Sequence, residues 1–414
     1  MNPSTLYVGI DVARDRLDVS FLDADEEQVH LAQAYPNRPA GWQALVESLQ
    51  GLSEQFRRIV CGMESTAVFH EGVARYLREQ VELVYDVQVL NPLAVKRLGQ
   101  AMLRNAKTDK ADSRLIAQHV IRMKPEPTPP ASPAHEALKE ITRRRRRFVE
   151  DRSQESNRLH TLLHRHYPGY RQIVGKHLTV SLLTVLSQAQ SPRAILAQPV
   201  ADIARISIGT RRYIGLDLAG KFHQLARSAP SQQFPRSTEL LLQMSARRIL
   251  ELKNHIKSLD ECIAEMTKSL PEIALLQTIP GIGAVTAGTI VAEVGDIRRF
   301  PTKEKFVGYC GLYPIVWESG QVKRKYRMTR QGNRWLKTAL LVASAPARLY
   351  NPRIAAFDQR LHASNKTTKA AGGALATKLA HFCWAILTKN QPWSDKVAKN
   401  AQRKAEAMLA TKPS

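Results

Sequence analysis

Two aspartates three residues apart, Asp109 and Asp112, lie in the segment AKTDKADSRLIAQHV (106–120), which otherwise carries basic charge. Residues at this spacing share one face of a helix. Asp11 follows the apolar stretch TLYVGI, and Glu64 follows RRIVCGM, so each acid lies near the end of a predicted strand. Because sites in α/β proteins form where neighbouring strands end, these four acids are one candidate cluster.

Four carboxylates in one place repel each other, and their pKa values rise unless cations lie among them. Two divalent ions would balance the four charges, and hard oxygen ligands favour Mg²⁺, with Mn²⁺ as second candidate. Two such ions about 4 Å apart suit phosphodiester chemistry. The alternative is structural, since Asp109 could cap a helix with Asp112 in its first turn. Asp15 and Asp18 are further candidates, although Asp18 is predicted to face outward.

The elements that must position these acids follow an α/β pattern. A helical stretch is predicted from Pro92 to about Met123, and Asp109 and Asp112 lie on one face of a predicted helix start within it. Three hairpin-like strands followed by alternating helix and strand indicate a mixed sheet. Strands are predicted at 5–13, 16–23, 28–36, 57–65 and 82–92, with helices at 39–52 and 70–80.

The middle of the chain predicts a linker and a coiled coil. The segment PEPTPPASP (125–133) holds five prolines in nine residues, which is typical of a stiff linker. Apolar residues then follow heptad-compatible spacing on two long helices, which indicates a coiled coil within one chain or between chains. These residues are Leu138, Ile141, Phe148, Leu159 and Leu162, then Ile249, Leu252, Ile256, Leu259, Ile263, Met266 and Leu270.

The composition and net charge of the chain indicate which class of partner it binds. The chain has 414 residues, 43% of them hydrophobic, and a formal charge of +24, which points to a globular protein that binds nucleic acid. The N-terminus runs directly into a predicted strand, so we expect no signal peptide, a cytoplasmic location and no membrane partner. The four cysteines are far apart in apolar surroundings, which predicts buried free thiols and excludes zinc-ligand spacing.

Several segments predict nucleic-acid contacts. The segment IPGIGAVTA (279–287) reads as a helix-hairpin-helix turn, in which Gly281 and Gly283 allow close backbone approach and the next helix N-terminus binds a phosphate. An ordinary glycine-rich connection is the alternative. Basic residues without an acid among them follow at Lys323, Arg324, Lys325, Arg327, Arg330, Arg334 and Lys337. Such a run is often only a solvated face, and Tyr326 and Trp335 could stack on bases or pack in a core.

The five consecutive arginines Arg143, Arg144, Arg145, Arg146 and Arg147 cannot all face one way on a helix. They predict phosphate contacts without sequence readout.

The segments YVGIDVARDRLDV, CGMEST and AKTDKADSRLIA resemble the RuvC-like domain of the DEDD transposases of bacterial insertion sequences. This family is related to the Piv DNA invertases and includes bridge-RNA-guided recombinases. The segments LQTIPGIGAVTAGTIVAEVG and ESGQVKRKYRMTRQGNRWLKTALLVAS resemble its C-terminal transposase domain. The resemblance covers roughly 5–123 and 272–388. Two departures are a long segment at 168–236 and WESG, where many members have a further small residue before the serine.

The resemblance implies an α/β plus α fold. A RuvC-like (RNase H-like) domain at 1–124 and a Pro-rich linker at 125–135 precede a coiled-coil region at 136–270 with an insertion at 168–236. A mostly helical transposase domain with the helix-hairpin-helix follows at 271–390, and a basic tail at 391–414.

The resemblance also implies a DNA recombinase that moves an insertion sequence. Asp11, Glu64, Asp109 and Asp112 bind Mg²⁺, and Ser319 forms a phosphoserine link to donor or target DNA; the residues alone favour a simple turn at Ser319. A noncoding guide RNA selects the sites, and a dimer or tetramer lets Ser319 of one protomer serve the acids of another. Three alternatives are a structure-specific endonuclease, an invertase without guide RNA, and a catalytically silent nucleic-acid-binding protein.

Overall fold

The computed structural model describes residues 5–80, 82–84, 86–103, 109–125, 132–189, 191–229, 235–319, 322–329 and 331–394, with the backbone alone at 109–110, 316–319 and 322–327. The chain divides into two compact units, residues 1–130 and 131–414. The division falls inside the predicted Pro-rich linker. Each unit has hydrophobic cores of its own.

The first unit is a five-stranded sheet with helices. In chain order its elements are β1 (Thr5–Val12), β2 (Arg16–Leu22), β3 (Gln28–Pro36), α1 (Pro39–Leu52), β4 (Arg58–Glu64), α2 (Phe69–Arg78), β5 (Asp86–Leu90), α3 (Pro92–Ala101) and α4 (Asp109–Met123). The strand order is β3-β2-β1-β4-β5, antiparallel from β3 to β1 and parallel from β1 to β5. The predicted mixed sheet is confirmed. The helical stretch predicted at 92–123 consists of two helices, because α3 ends at Ala101, and the helix start predicted at Asp109 and Asp112 agrees with the bounds of α4.

Alternation along β1 assigns its side chains to two faces of the sheet. Leu6, Val8 and Ile10 are buried in a core that α1 and α2 complete. Tyr7 packs on the other face with residues of α4. Successive side chains of a strand point to opposite faces, so Asp11 belongs to the α4 face.

The second unit is mostly helical. Its elements are α5 (Pro133–His166), α6 (Tyr170–Val174), α7 (Val180–Gln188), α8 (Pro192–Leu196), α9 (Val200–Ala204), β6 (Ser207–Gly209), β7 (Arg212–Tyr213), α10 (Leu216–Ser228), α11 (Arg236–Met266), α12 (Pro271–Gln277), α13 (Ala284–Val294), a 3-10 helix (Ile297–Arg299), α14 (Lys303–Cys310), β8 (Pro314–Ser319), β9 (Val322–Met328), α15 (Arg334–Tyr350), α16 (Pro352–Ala363) and α17 (Thr368–Lys389). Ser132 caps α5, so this helix begins within the segment predicted as linker.

The long helices α5 and α11 pack against each other within one chain. Ile249, Leu252 and Ile256 of the predicted seam are buried. The described residues of the segment 168–236 form a core with the C-terminal part of α5 and the N-terminal part of α11, built around Tyr167, Tyr170 and Phe222 among others. This segment is therefore a packed extension of the helix pair. The coiled coil between chains stays a prediction.

The helices α12 to α17 form a second core that includes Leu138 of α5. Among the described residues, α17 alone is long and apolar enough to cross a membrane, and 44% of its apolar window is buried. Leu379 and Cys383 of α17 lie in this core, and α17 packs against α15. The contacts are those of a core helix. Three of the four cysteines are buried as predicted, whereas Cys262 is only partly buried.

Candidate active site

Two glycines allow α4 to lie directly on the sheet. Gly9 of β1 and Gly62 of β4 are direct neighbours in the parallel pair. A Cβ atom at Gly9 would lie 2.0 Å from the backbone oxygen of Ser113, and one at Gly62 would lie 2.5 Å from Cγ2 of Val120. Any larger residue would push α4 away. Both candidate acids follow two residues after these glycines, so both lie on the side of the sheet that α4 covers.

Hydrogen bonds fix how α4 sits on the sheet. The hydroxyls of Ser20 and Ser113 are 2.7 Å apart in a buried contact between β2 and α4. At the other end of α4, Arg122 pairs with Glu26 in the turn between β2 and β3, with Nη2 donating to Oε2 at 2.7 Å. These contacts set the rotation of the helix about its axis. They place Asp112, the neighbour of Ser113, near the carboxyl ends of β1 and β4.

Asp11 and Asp112 lie within electrostatic range of Glu64. Partial burial raises the pKa of Glu64 to about 7, and repulsion by the carboxylates of Asp11 and Asp112 adds to the increase. These carboxylates come from β1, β4 and α4, which are distant in sequence. Asp109 is the first residue of α4, and its side chain lies outside the described part. The structure thus brings together three of the four acids that the sequence singled out.

The donor set determines which metal could bind here. Carboxylate oxygens are the hard ligands that Mg²⁺ and Mn²⁺ prefer. A divalent cation would relieve the repulsion that raises the pKa of Glu64. Within the described residues, no three His, Cys, Asp or Glu side chains are grouped closely enough to hold one metal ion. The chemistry of the acids fits a metal, and the ligand set stays a prediction.

The two alternative aspartates have different surroundings. Asp18 lies directly opposite Asp11 across the β1–β2 pair and is buried, so the prediction that it faces outward is wrong. Its Oδ1 accepts from Nη2 of Arg16 at 2.5 Å, and this cation balances its charge. Asp15 is almost fully exposed. Neither Asp15 nor Asp18 is therefore a better candidate metal ligand than Asp11.

The candidate nucleophile Ser319 ends β8 and lies across from Val322 in the β8–β9 hairpin. Two glycines with positive φ hold the base of this hairpin. A Cβ at Gly332 would lie 2.6 Å from the Cα of Gly311, so the two backbones touch. The side chain of Ser319 lies outside the described part. The same holds for Lys323, Arg324, Lys325 and Arg327 on β9, and Arg330 lies outside it entirely.

The two glycines of the turn that was predicted as a helix-hairpin-helix differ in their surroundings. Gly281 has a φ of +97°, and a Cβ there would lie 2.4 Å from the Cα of Ala347 in α15. This close approach is internal packing, which favours the structural interpretation of Gly281. Gly283 caps α13, and no described atom lies within 4 Å of where its Cβ would be. The predicted phosphate contact therefore depends on the Gly283 end of the turn.

The five consecutive arginines are largely engaged within the protein. Arg143 makes a bidentate contact with the buried carboxylate of Glu293, at 2.6 and 2.8 Å. Arg145 pairs with Asp260 and Arg146 with Glu150. Arg144 and Arg147 have guanidinium groups that lie near the rings of Phe148 and Trp335. Contact between this run of arginines and nucleic acid stays a prediction. It fits Arg144 and Arg147 better than the three arginines that form ion pairs.

Trp335 is covered by cations. The guanidinium groups of Arg143, Arg147 and Arg334 lie 5.6, 5.9 and 4.5 Å from its ring centroid. The indole is partly buried among them. Whether Trp335 also stacks on bases stays a prediction.

Sequence reasoning missed Glu293, a lone acid in the apolar run TAGTIVAEVG. Its Oε2 also accepts from Nδ2 of Asn333 at 2.7 Å. Asn333 caps α15 directly after the β8–β9 hairpin, with Oδ1 accepting from the amides of Trp335 and Leu336. Glu293 therefore links α5 to the helix that follows the candidate nucleophile. The isolated acid in an apolar helix was the available signal.

Comparison with known families decides the class. Residues 8–168 match the DEDD transposase model of the IS110 type, and residues 273–359 match the model described as transposase IS116/IS110/IS902 family. The chain carries the transposase domains of the IS110/IS116 family. The first match spans all four candidate acids, and the second spans Ser319.

Individual relatives of the chain support the same assignment to the IS110/IS116 family. It is similar to the insertion element IS116 uncharacterized 44.8 kDa protein of Streptomyces clavuligerus, with 25% identity over 83% of this chain and 84% of the relative. It is also similar to the pilin gene-inverting protein of Moraxella bovis, with 20% identity over 95% and 99%. A shorter match is the transposase for insertion sequence element IS1111A of Coxiella burnetii, with 29% identity over 36% and 43%. Membership of this family identifies the chain as a DNA-processing enzyme of insertion sequences.

Proposed function

We propose that this IS110/IS116-family transposase cleaves and exchanges DNA strands, using the carboxylates of Asp11, Glu64, Asp109 and Asp112 and the hydroxyl of Ser319. The observation that carries the proposal is the convergence of Asp11, Glu64 and Asp112 from the ends of β1 and β4 and from α4, and their repulsion contributes to the raised pKa of Glu64. A structural role for these acids would not require such repulsion. Perturbed carboxylates that converge from separate elements are typical of catalytic sites.

The four acids would hold Mg²⁺, with two ions by charge balance and Mn²⁺ as a substitute. Bound there, the cations supply stabilisation of charge on the attacking and leaving oxygens of a phosphodiester. The chain's own contribution is to orient the carboxylates. The contact of Gly9 with α4 and the Ser20–Ser113 hydrogen bond keep Asp112 beside the strand ends.

Ser319 would act as the nucleophile. Its oxygen attacks phosphorus while the bond from phosphorus to the leaving DNA oxygen breaks. The serine proton passes to a base or to water, and the leaving oxygen gains a proton. One phosphorus–oxygen bond replaces another, so the link retains its energy for rejoining, and no nucleotide cofactor is required.

The nucleic-acid partners follow from charge and family. The net charge of +24 suits binding to donor and target DNA. A noncoding RNA of the element is proposed to select both sites. A dimer or tetramer is proposed as the active form, in which one protomer supplies Ser319 to the acids of another, in the bacterial cytoplasm.

Covalent trapping tests this proposal. The full-length protein with Mg²⁺ and element-end DNA should give a protein–DNA adduct that maps to Ser319. Ser319→Ala should abolish the adduct and keep DNA affinity, whereas Ser269→Ala, at an exposed serine of the same unit, should behave as wild type. Cleavage by Ser319→Ala would contradict the proposal and would favour a structure-specific endonuclease.

A second candidate is a site-specific invertase that needs no guide RNA. The likeness to the pilin gene-inverting protein over 95% of this chain favours it. RNA that copurifies with the protein would be sequenced, and recombination would be measured after complete RNase treatment. Loss of activity, restored by a transcript of the element's flanks, supports the guided recombinase; full activity of the RNA-free protein supports the invertase.

A further inference from the structure

A cleft of about 1260 Å³ lies in the second unit, beside the base of the β8–β9 hairpin. The N-terminal half of α15, the C-terminal half of α16 and the first two thirds of α17 form its walls. Its lining carries five cations and, among the described residues, no Asp or Glu. These cations are Arg334, Lys337, Lys366, Lys369 and Lys378.

Two side chains of the cleft lining, Lys378 and His381, are partly removed from water and lie near other cations. Desolvation lowers the pKa of Lys378, and the nearby Arg353, Arg360 and Lys303 lower it further. Desolvation likewise lowers the pKa of His381, with Lys303 and Lys378 acting in the same direction. Bound anions would relieve this repulsion.

Few carboxylates compete for these cations. Glu304 is the acid that acts on His381, and it opposes the lowering of that pKa. Asp358 of α16 is close to Arg348 and His362, at 3.8 and 3.4 Å. The cleft itself therefore remains strongly positive.

An aromatic ring lies among these charges. Phe357 is partly buried, and Arg360 and Lys378 lie 5.7 and 6.0 Å from its ring centroid. Leu341 and Leu361 continue the apolar wall. Cations next to an aromatic and apolar wall match the alternating phosphates and bases of an unpaired strand. A duplex keeps its bases stacked inside and would offer only phosphates to such a surface.

The cleft is connected to the candidate nucleophile by the hairpin itself. Pro314 and Met328, at the base of β8 and β9, line the cleft, and Ser319 ends β8. Five residue steps along a strand span roughly 16 Å. A strand joined to Ser319 would therefore start about one β-strand length away from the cleft.

We propose that this cleft binds an unpaired DNA strand that flanks the cleaved phosphate, with a base against Phe357 and phosphates at Lys366, Lys369 and Lys378. The choice of DNA rests on the proposed function, because the strand attached to Ser319 is then DNA. The cleft holds this strand apart from its complement during exchange.

Binding of labelled oligonucleotides to the full-length protein in EDTA tests the cleft without cleavage. The probes are a single-stranded DNA, its duplex and an RNA of the same sequence. Lys366→Glu combined with Lys369→Glu should weaken single-stranded DNA binding at least about tenfold and reduce the slope of log affinity against log salt by about 1.4. The matched control reverses two exposed lysines outside the cleft, Lys176 and Lys268, and should have a much smaller effect.

Phe357→Leu removes the ring and keeps an apolar side chain. It should weaken single-stranded DNA binding about tenfold and leave duplex binding unchanged. Unchanged single-strand affinity in Phe357→Leu, equal losses in the two lysine pairs, or tighter binding of the RNA would overturn the proposal.

Asp112→Ala separates this proposal from the proposed function. It should abolish cleavage and bind single-stranded DNA as wild type does. If Asp112→Ala still cleaves, the proposed function fails, while weaker binding by the cleft variants would still support the cleft. If it does not cleave and the cleft variants bind normally, the cleft alone is refuted.

Discussion

Replacing Glu64 by Gln should stabilise the metal-free first unit at alkaline pH while it impairs catalysis. Burial and the neighbouring Asp11 and Asp112 raise the pKa of Glu64 to about 7 from its ordinary value of 4.5. Well below pH 4.5 the carboxyl is protonated in both the folded and the unfolded state. As pH rises from 4.5 to about 7 only the unfolded chain ionises, so the folded state loses stability, and the loss is complete above that range.

The size of the effect follows from the shift. Each pKa unit corresponds to about 1.4 kcal/mol, so a change from 4.5 to about 7 gives an upper bound of about 3.5 kcal/mol. The carboxyl of Glu64 keeps partial contact with solvent, and screening reduces this to about 1–2 kcal/mol. A glutamine amide at this position cannot ionise, so the Glu64→Gln variant should avoid this loss.

Hydrogen exchange of the β1 and β4 amides measures the opening free energy of the sheet in the full-length protein. In EDTA at about pH 8, Glu64→Gln should be more protected than wild type by about 1–2 kcal/mol, and most of the difference should disappear at about pH 5. Glu54→Gln, at an exposed acid before β4, is the control and should show no such pH dependence.

With added Mg²⁺, the wild-type sheet should be more protected than that of Glu64→Gln. The cation stabilises the wild-type carboxylates and has one ligand fewer in the variant. A variant that is no more protected than wild type at alkaline pH, or a difference that does not change between acid and alkaline conditions, would refute the electrostatic reasoning.

Three further predictions concern packing, a buried ion pair and charge. Gly9→Ala should destabilise the first unit by about 1–3 kcal/mol through overpacking against α4, whereas Gly51→Ala, in a helix with open space around it, should stabilise by about 0.5–1 kcal/mol in the same denaturation assay. Glu293→Gln should cost about 3 kcal/mol because it removes a buried negative charge that accepts from both Arg143 and Asn333, whereas Glu150→Gln, in an i,i+4 pair, should cost less than about 0.5 kcal/mol; equal losses would contradict this. Affinity for duplex DNA should fall about 10³-fold or more between about 50 and 200 mM salt, and a flat response would contradict binding through phosphates.

Local patterns predicted much of the first unit. The alternation of apolar residues defined β1 to β3 to within one residue at their ends, and PAGWQALVESLQGL forms α1 over the same residues. The predicted outward orientation of Asp18 is wrong because Asp18 shares the face of its cross-strand partner Asp11, and α4 packs on that face of β2 as well. The break between α3 and α4 was also missed, since a helical composition continues through it.

Part of the candidate site could be predicted from local sequence spacing, and part of it depends on contacts between residues that are distant in sequence. The spacing Gly-x-acid recurs at Gly9 with Asp11 and at Gly62 with Glu64, and the sequence shows it directly. That the two glycines are neighbours, and that α4 lies on both, depends on strand register and helix packing. Local spacing cannot specify which strands pair.

The sequence by itself determined most elements of the first unit, the basic charge, the four candidate acids and the family resemblance, because these depend on residue types and short spacings. Only the tertiary structure decided which charged side chains form ion pairs within the protein. Arg143 binds an acid 150 residues away, and Arg145 binds one 115 residues away. It also assigned Gly281 to internal packing against α15 and placed five cations around one cleft. Electrostatic and steric energies depend on distance in space, and distance along the chain does not determine it.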